Sequence, residues 1–180
     1  MGKKFKNIKK GQVISILVCL FIIAGSAAGS ITYITMPESP FAAFSKSFTS
    51  ESKSIYTFLS ICIIPYLIIF SSILTFGIAI SSVLLFIQAF FSSCAVCFAV
   101  AADSSTYLIL KTAFLQCILV ICCIITSYFS FSRVIRKFTN ETGRKHLLRR
   151  EKIKTNAENI IIFTATTALL VIYCVLKQKL

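Results

Sequence analysis

Acidic residues are scarce in this chain, and charged residues of either sign are missing from its longest apolar stretch. Asp and Glu together number 6 of 180 residues, and no charged residue lies between Lys53 and Asp103. This uncharged stretch is far longer than any helix or strand of a soluble core requires. Hydrophobic residues make up 57% of the chain, which exceeds the usual share in globular proteins. The sequence therefore predicts an integral membrane protein.

The same scarcities limit the chemistry that the chain can perform. No carboxylate lies near the middle of an apolar run, so acid–base catalysis inside the bilayer has no obvious agent. His146 is the only histidine and belongs to a basic segment, which argues against a histidine-based metal site. Glycine-rich phosphate loops, paired carboxylates and serine nucleophile elbows are absent from the sequence. We predict a protein that is not an enzyme and needs no cofactor.

The apolar residues form runs long enough for about five membrane-spanning helices. At a rise of ~1.5 Å per residue, roughly 20 residues cross a hydrocarbon core of ~30 Å. We predict one all-α integral membrane domain over residues 1–180, a bundle whose spans are listed here: about 13–34, 55–76, 78–101, 106–131 and 160–176. Gly77 is the predicted break between the second and third spans, and Pro65 is predicted to kink the second. A cleaved signal peptide is the alternative for the first run, because lysines precede it and small residues occupy 26–28.

Lysine and arginine are concentrated in two segments of the chain. Five lysines precede the first span and nine basic residues lie in 133–155, so these segments hold fourteen of the 19 Lys and Arg residues. Positive residues favour the cytoplasmic side of a membrane. We therefore predict that the N-terminus and the loop 133–155 lie inside, and that the loop 36–54 and the C-terminus lie outside. Basic runs beside apolar spans indicate contact with the lipid bilayer rather than with nucleic acid.

Two polar segments carry residues that are candidates for contact with a partner or with the membrane surface. In the outside loop, Phe41, Phe44 and Phe48 recur at spacings of three and four, which is typical of a short amphipathic helix. In the basic loop, Arg149 and Arg150 follow two leucines, a pattern compatible with a basic amphipathic helix on the inner leaflet. An ordinary solvated loop explains either segment equally well.

Four residues within the spans are candidates for helix packing. Gly25 and Gly29 form a small-xxx-small pattern, which lets helix backbones approach closely within one chain or between two copies. Gln88 and Gln116 each lie about ten residues, or ~15 Å, from the start of their antiparallel spans, so both reach the middle of the bilayer. We predict a hydrogen bond between the two amides that joins the third and fourth spans. The alternative is that these amides line a polar pathway.

The cysteines offer little support for redox or metal chemistry. Cys94 and Cys97 have the spacing of a redox motif, but a reactive thiol requires a cationic or helix-N-terminal setting. The residues around this pair are Ala, Val, Phe and Ser, and all eight cysteines lie within apolar runs. We interpret them as small buried hydrophobic residues.

Four features of the sequence resemble the stage II sporulation protein M family of endospore-forming bacteria. They are the Gly25-x-x-x-Gly29 pair, the long outside loop, the third-span segment 84–91 (LLFIQAFF) and the basic exit 131–136 (FSRVIR). The resemblance covers nearly the whole chain and includes the number and orientation of spans. It implies a multi-pass protein of the bacterial cytoplasmic membrane with a part in engulfment. The implied role is to recruit or position peptidoglycan-degrading partners, with contacts through the outside loop and the helix faces.

Two classes of function remain open from the sequence. A non-enzymatic scaffold or assembly protein requires only packed helices and a docking loop, both of which the sequence supplies. A small-molecule transporter, or the substrate-binding membrane subunit of one, would need several polar groups that converge at mid-membrane depth. Gln88 and Gln116 provide only two such polar groups. Thr164, Thr166 and Thr167 would have to provide the others. The scaffold is the leading hypothesis.

Overall fold

Five α-helices make up the described part of the chain. The computed structural model describes residues 2–36, 55–74, 76–102, 105–140 and 148–179, and the side-chain surroundings of 11–36, 63–74, 76–102, 105–136 and 158–177. The helices are α1 (Gly2–Thr35), α2 (Ile55–Ser71), α3 (Gly77–Ala101), α4 (Thr106–Asn140) and α5 (Leu148–Lys179). Within these ranges there is no β-strand. The predicted all-α class is therefore confirmed.

Four of the helices contain segments that are long and apolar enough to cross a membrane: Gly11–Thr35, Gly77–Ala101, Thr106–Arg136 and Glu158–Lys177. These segments coincide with the predicted first, third, fourth and fifth spans. Large apolar side chains remain exposed along them, such as Ile23 at 65%, Leu110 at 65% and Ile160 at 67%. Contact with lipid tails would stabilise such surfaces, because exposed apolar area is unfavourable in water. The chain is accordingly a multi-pass membrane protein.

The second predicted span is shorter as a helix than its apolar run. α2 has 17 residues and continues through Pro65, but it ends at Ser71 rather than near residue 76. A turn follows, in which the Leu74 amide donates to the Ser71 carbonyl at 3.0 Å. α3 begins at Gly77, where a Cβ atom would collide with that same carbonyl oxygen. Only glycine fits this close approach, which lets α2 and α3 form a tight antiparallel hairpin.

α4 contacts each of the other four helices. α3 packs most extensively on α1, and also contacts α2 and α4. α1 and α3 are parallel, since Gly25 lies beside Phe86 while Tyr33 lies beside Phe98, further along both helices. Two buried apolar clusters fill the interior. One consists of Ile14, Val18, Ile64, Ile68, Leu85, Cys123 and Phe131; the other consists of Ala95, Leu115, Leu119, Cys122, Leu170 and Tyr173.

The basic segments are more helical than the charge pattern predicts. α4 continues beyond the predicted end of its span to Asn140, and α5 already begins at Leu148. The predicted loop 133–155 is therefore helical over 133–140 and 148–155. Lys, Arg and Glu are good helix formers. The charged residues therefore indicate where the chain leaves the lipid, but they do not end the helix. An ion pair between Arg136 and Glu158, 2.9 Å apart, connects α4 and α5 in this region.

Candidate functional site

A buried polar cluster joins α3 and α4 near the middle of the bundle. Gln88, Ser92 and Gln116 are 0%, 6% and 3% exposed. The amide of Gln88 donates from Nε2 to Ser92 Oγ at 3.2 Å, and Ser92 Oγ donates to Gln116 Oε1 at 3.0 Å. The sequence predicts a direct bond between the two amides, but in the structure the Ser92 hydroxyl connects them. Ser92 lies one helical turn beyond Gln88 on the same face of α3.

The cluster is not saturated with hydrogen bonds. Gln88 Oε1 and the hydroxyl of Thr112 on α4 are both shielded from solvent and have no hydrogen-bond partner within the described residues. The hydroxyls of Ser127 and Thr166 are likewise shielded from solvent and unpaired within the described residues. An unpaired buried polar atom costs about 1–3 kcal/mol. Together with Arg133 Nε at the basic end of the bundle, these four atoms are shielded polar groups of the described part that remain available for a further contact.

A second polar node lies where α2 turns into α3. The hydroxyls of Ser71 and Ser81 share a hydrogen bond of 2.5 Å, and those of Ser81 and Ser130 share one of 2.8 Å. Ser81 is fully buried, so one small residue connects three helices. These serines are not among the residues predicted from the sequence to pack helices. A signal for them existed, because Ser81, Gln88 and Ser92 follow one another at spacings of seven and four, which places them on one helix face.

Gly25 and Gly29 lie in the contact between α1 and α3. A Cβ atom on Gly25 would stand 2.6 Å from the carbonyl oxygen of Phe86, and one on Gly29 would collide with the carbonyl oxygen of Phe90. Ser30 Oγ shares a 2.6 Å hydrogen bond with Ser93 Oγ beside this contact. Both glycines thus face a helix of the same chain. Their absent side chains let polar groups on α1 and α3 come within hydrogen-bonding distance.

At the basic end of the bundle, Arg133 connects α4 with α5 and with the turn that follows α2. Its Nη1 donates to Asn159 Oδ1 on α5 at 2.7 Å and to Ser72 Oγ, just beyond α2, at 3.4 Å. One turn further along α4, Arg136 Nη1 donates to both carboxylate oxygens of Glu158. In the sequence these arginines indicate the orientation of the chain and form part of the basic exit 131–136. Their polar partners could not be identified from charge alone.

The structure describes the other candidate residues only in part. Phe41, Phe44 and Phe48 lie outside the described residues. Arg149 and Arg150 belong to the first turn of α5, but their side chains lie outside the described part. Thr164 and Thr167 donate to backbone carbonyls of their own helix, whereas Thr166 points into the bundle.

The cysteines of the described ranges are free thiols distributed over several helices. Cys94 Sγ donates to the carbonyl of Gly29 at 3.1 Å, and Cys97 Sγ lies 3.8 Å from Ser30 Oγ. Both thiols therefore take part in the contact between α1 and α3. Among the residues described, no three His, Cys, Asp or Glu side chains come together as a metal site would require.

Comparison with protein-family models, with curated proteins and with solved structures finds no match for the chain. The resemblance to the sporulation family therefore stays a prediction.

Proposed function

We propose that this chain is a non-enzymatic scaffold of a bacterial cytoplasmic membrane, in which it holds partner proteins at one place. The observation that carries this proposal is the way in which its buried polar groups are used. Ser92 connects Gln88 with Gln116, and Ser81 connects Ser71 with Ser130. Such bonds fix helices to one another, which is what a rigid platform needs.

The proposed topology has five spans, with the N-terminus inside and the C-terminus outside. A Cβ atom on Gly11 would stand 3.5 Å from the phenolic oxygen of Tyr128, so the start of the apolar segment of α1 lies beside the later part of the apolar segment of α4. The basic segment before Gly11 and the basic segment after Tyr128 are both adjacent to this contact, which supports a common cytosolic side. α2, at 17 residues, is ~26 Å long and is the proposed second span.

The class of partner comes from the sequence resemblance alone. We propose that the partners are components of a peptidoglycan-degrading assembly and that they contact the outside loop 36–54. The apolar residues of that loop, Phe41, Phe44 and Phe48, are the proposed contact points. Arg149 and Arg150 are the corresponding candidates on the cytosolic side.

Site-specific photocrosslinking in the native host tests this proposal. A photoreactive amino acid at Phe44 or Phe48 should capture a cell-wall hydrolase component. The same amino acid at Leu110, which is 65% exposed on the apolar surface of α4, serves as the control and should capture little beyond lipid. Capture of no such component from either phenylalanine position, in cells that make the protein at its normal level, would contradict the scaffold.

Transport of a small molecule is a second candidate function, which the unpaired buried atoms favour. Gln88 Oε1 and the hydroxyls of Thr112 and Thr166 have no hydrogen-bond partner within the described residues, as expected of groups that receive a polar solute. The double variant Gln88→Leu, Gln116→Leu separates the two functions. If it folds and still captures its partner, the scaffold is supported. If it folds but abolishes uptake of a labelled solute that the original chain transports, the protein is a transporter.

A further inference from the structure

The Arg133 guanidinium is fixed in position but has no counter-ion among the residues that the structure describes. Both of its hydrogen bonds start from one nitrogen, Nη1, and end on the neutral acceptors Asn159 Oδ1 and Ser72 Oγ. Neither acceptor neutralises the positive charge. The nearby carboxylate of Glu158 pairs with Arg136 instead, and among the described residues no carboxylate lies within ion-pair distance of Arg133.

The three nitrogens of this guanidinium have different surroundings. Nη1 is hydrogen-bonded, while Nε is shielded from solvent and has no acceptor in the described ranges. Nη2 makes no hydrogen bond within the described part and is not among the shielded atoms, so it remains accessible to an anion. A partly buried charge without a counter-ion is unfavourable, and an anion that reaches Nη2 would relieve this cost.

The depth of Arg133 indicates the source of that anion. It follows the buried residues Ser130 and Phe131, where the apolar part of α4 ends and its basic part begins. This is the level at which a helix leaves the hydrocarbon core and meets lipid headgroups. Guanidinium groups bind phosphate oxygens strongly, and the nine basic residues of 133–155 attract anionic lipid to this end of the protein.

We propose that Arg133 forms a binding site for the phosphate group of an anionic phospholipid. Asn159 and Ser72 position the guanidinium, and Nη2 donates to the phosphate. Occupation of the site would also stabilise the junction of α4 and α5 with the turn that follows α2, because Arg133 already connects these parts of the chain. The site requires only that this end of the bundle lies at a membrane surface, so it does not depend on the scaffold function.

Native mass spectrometry of the full chain in mild detergent tests the site. The probes are phosphatidylglycerol, phosphatidylcholine and inorganic phosphate. We expect the original chain to retain phosphatidylglycerol about tenfold better than phosphatidylcholine, which is the range of a charge-assisted hydrogen bond. Arg133→Gln should lose about tenfold in this retention. Arg136→Gln removes a charge one turn away that is already paired, so it should change retention by less than about twofold.

Three outcomes would count against the proposal. Equal retention of the two lipids by the original chain overturns it, whether or not any variant folds. Equal losses in Arg133→Gln and Arg136→Gln would indicate attraction to the general positive charge, which also overturns it. If inorganic phosphate raises the thermal midpoint of the original chain and phosphatidylglycerol does not, the ligand is a soluble phosphate and the assignment to a lipid is wrong. Loss of partner crosslinking with lipid retention intact would refute the scaffold and leave this site standing.

Discussion

The carbonyl oxygen of Phe90 on α3 occupies the space in which a side chain on Gly29 of α1 would have to begin. The two helices therefore approach at the distance of backbone contact at this point. Ser30 and Ser93 are hydrogen-bonded next to it. The contact between α1 and α3 is the most extensive one between the described helices, so the position of α1 on α3 affects the packing of the membrane domain.

Replacement of Gly29 by leucine should weaken the association of α1 with α3. The new side chain meets backbone atoms, which cannot rotate away, so we expect a loss of about 1–3 kcal/mol of stability. Thermal unfolding in detergent measures this as a lower midpoint. Ala27→Leu is the matched control, because Ala27 lies on the exposed side of the same helix. Similar midpoints for the two variants would show that α1 does not pack on α3 through this glycine.

Replacement of Ser92 by alanine should loosen the link between α3 and α4. The variant removes the hydroxyl that connects the two glutamine amides while it leaves the volume nearly unchanged. The expected loss is about 0.6 kcal/mol and at most about 1.7 kcal/mol, the range of hydrogen bonds between membrane helices. The measurement is reversible unfolding of the detergent-solubilised protein by a denaturing detergent.

Ser15→Ala provides the comparison for this variant. Ser15 is exposed and donates only to the Gly11 carbonyl of its own helix, so its replacement should have almost no effect on stability. If the Ser92 variant is no less stable than the Ser15 variant, the cluster of Gln88, Ser92 and Gln116 does not hold the bundle together. The main support for a rigid platform would then be lost.

The fold class could be predicted from the sequence because the length of an apolar run determines whether it can cross a membrane. The runs that became α1, α3, α4 and α5 were therefore identifiable from composition alone. Helix ends were harder to predict. α2 ends at Ser71 because the turn to Gly77 uses the remaining apolar residues, and α4 extends to Asn140 because basic residues are compatible with a helix.

The polar contacts of the site could be predicted only in part. Gln88 and Gln116 stand out in an apolar sequence, and their depth follows from residue counting. The hydroxyl between them does not stand out, because serine is common throughout these spans. Arg133 appeared as one of many basic residues, and its contacts with Ser72 and Asn159 depend on how three helices meet. Such contacts follow from tertiary packing, which local sequence patterns do not specify.

The cytosolic location of both basic segments is the central claim, and cysteine labelling in intact cells tests it most directly. Lys145→Cys lies in the basic segment between α4 and α5, and Ser50→Cys lies in the loop predicted to be outside. Cells that make the unsubstituted chain give the background of the native cysteines. An impermeant maleimide should label position 50 in intact cells, and position 145 only after the cells are opened. Labelling of position 145 from outside intact cells would contradict the account.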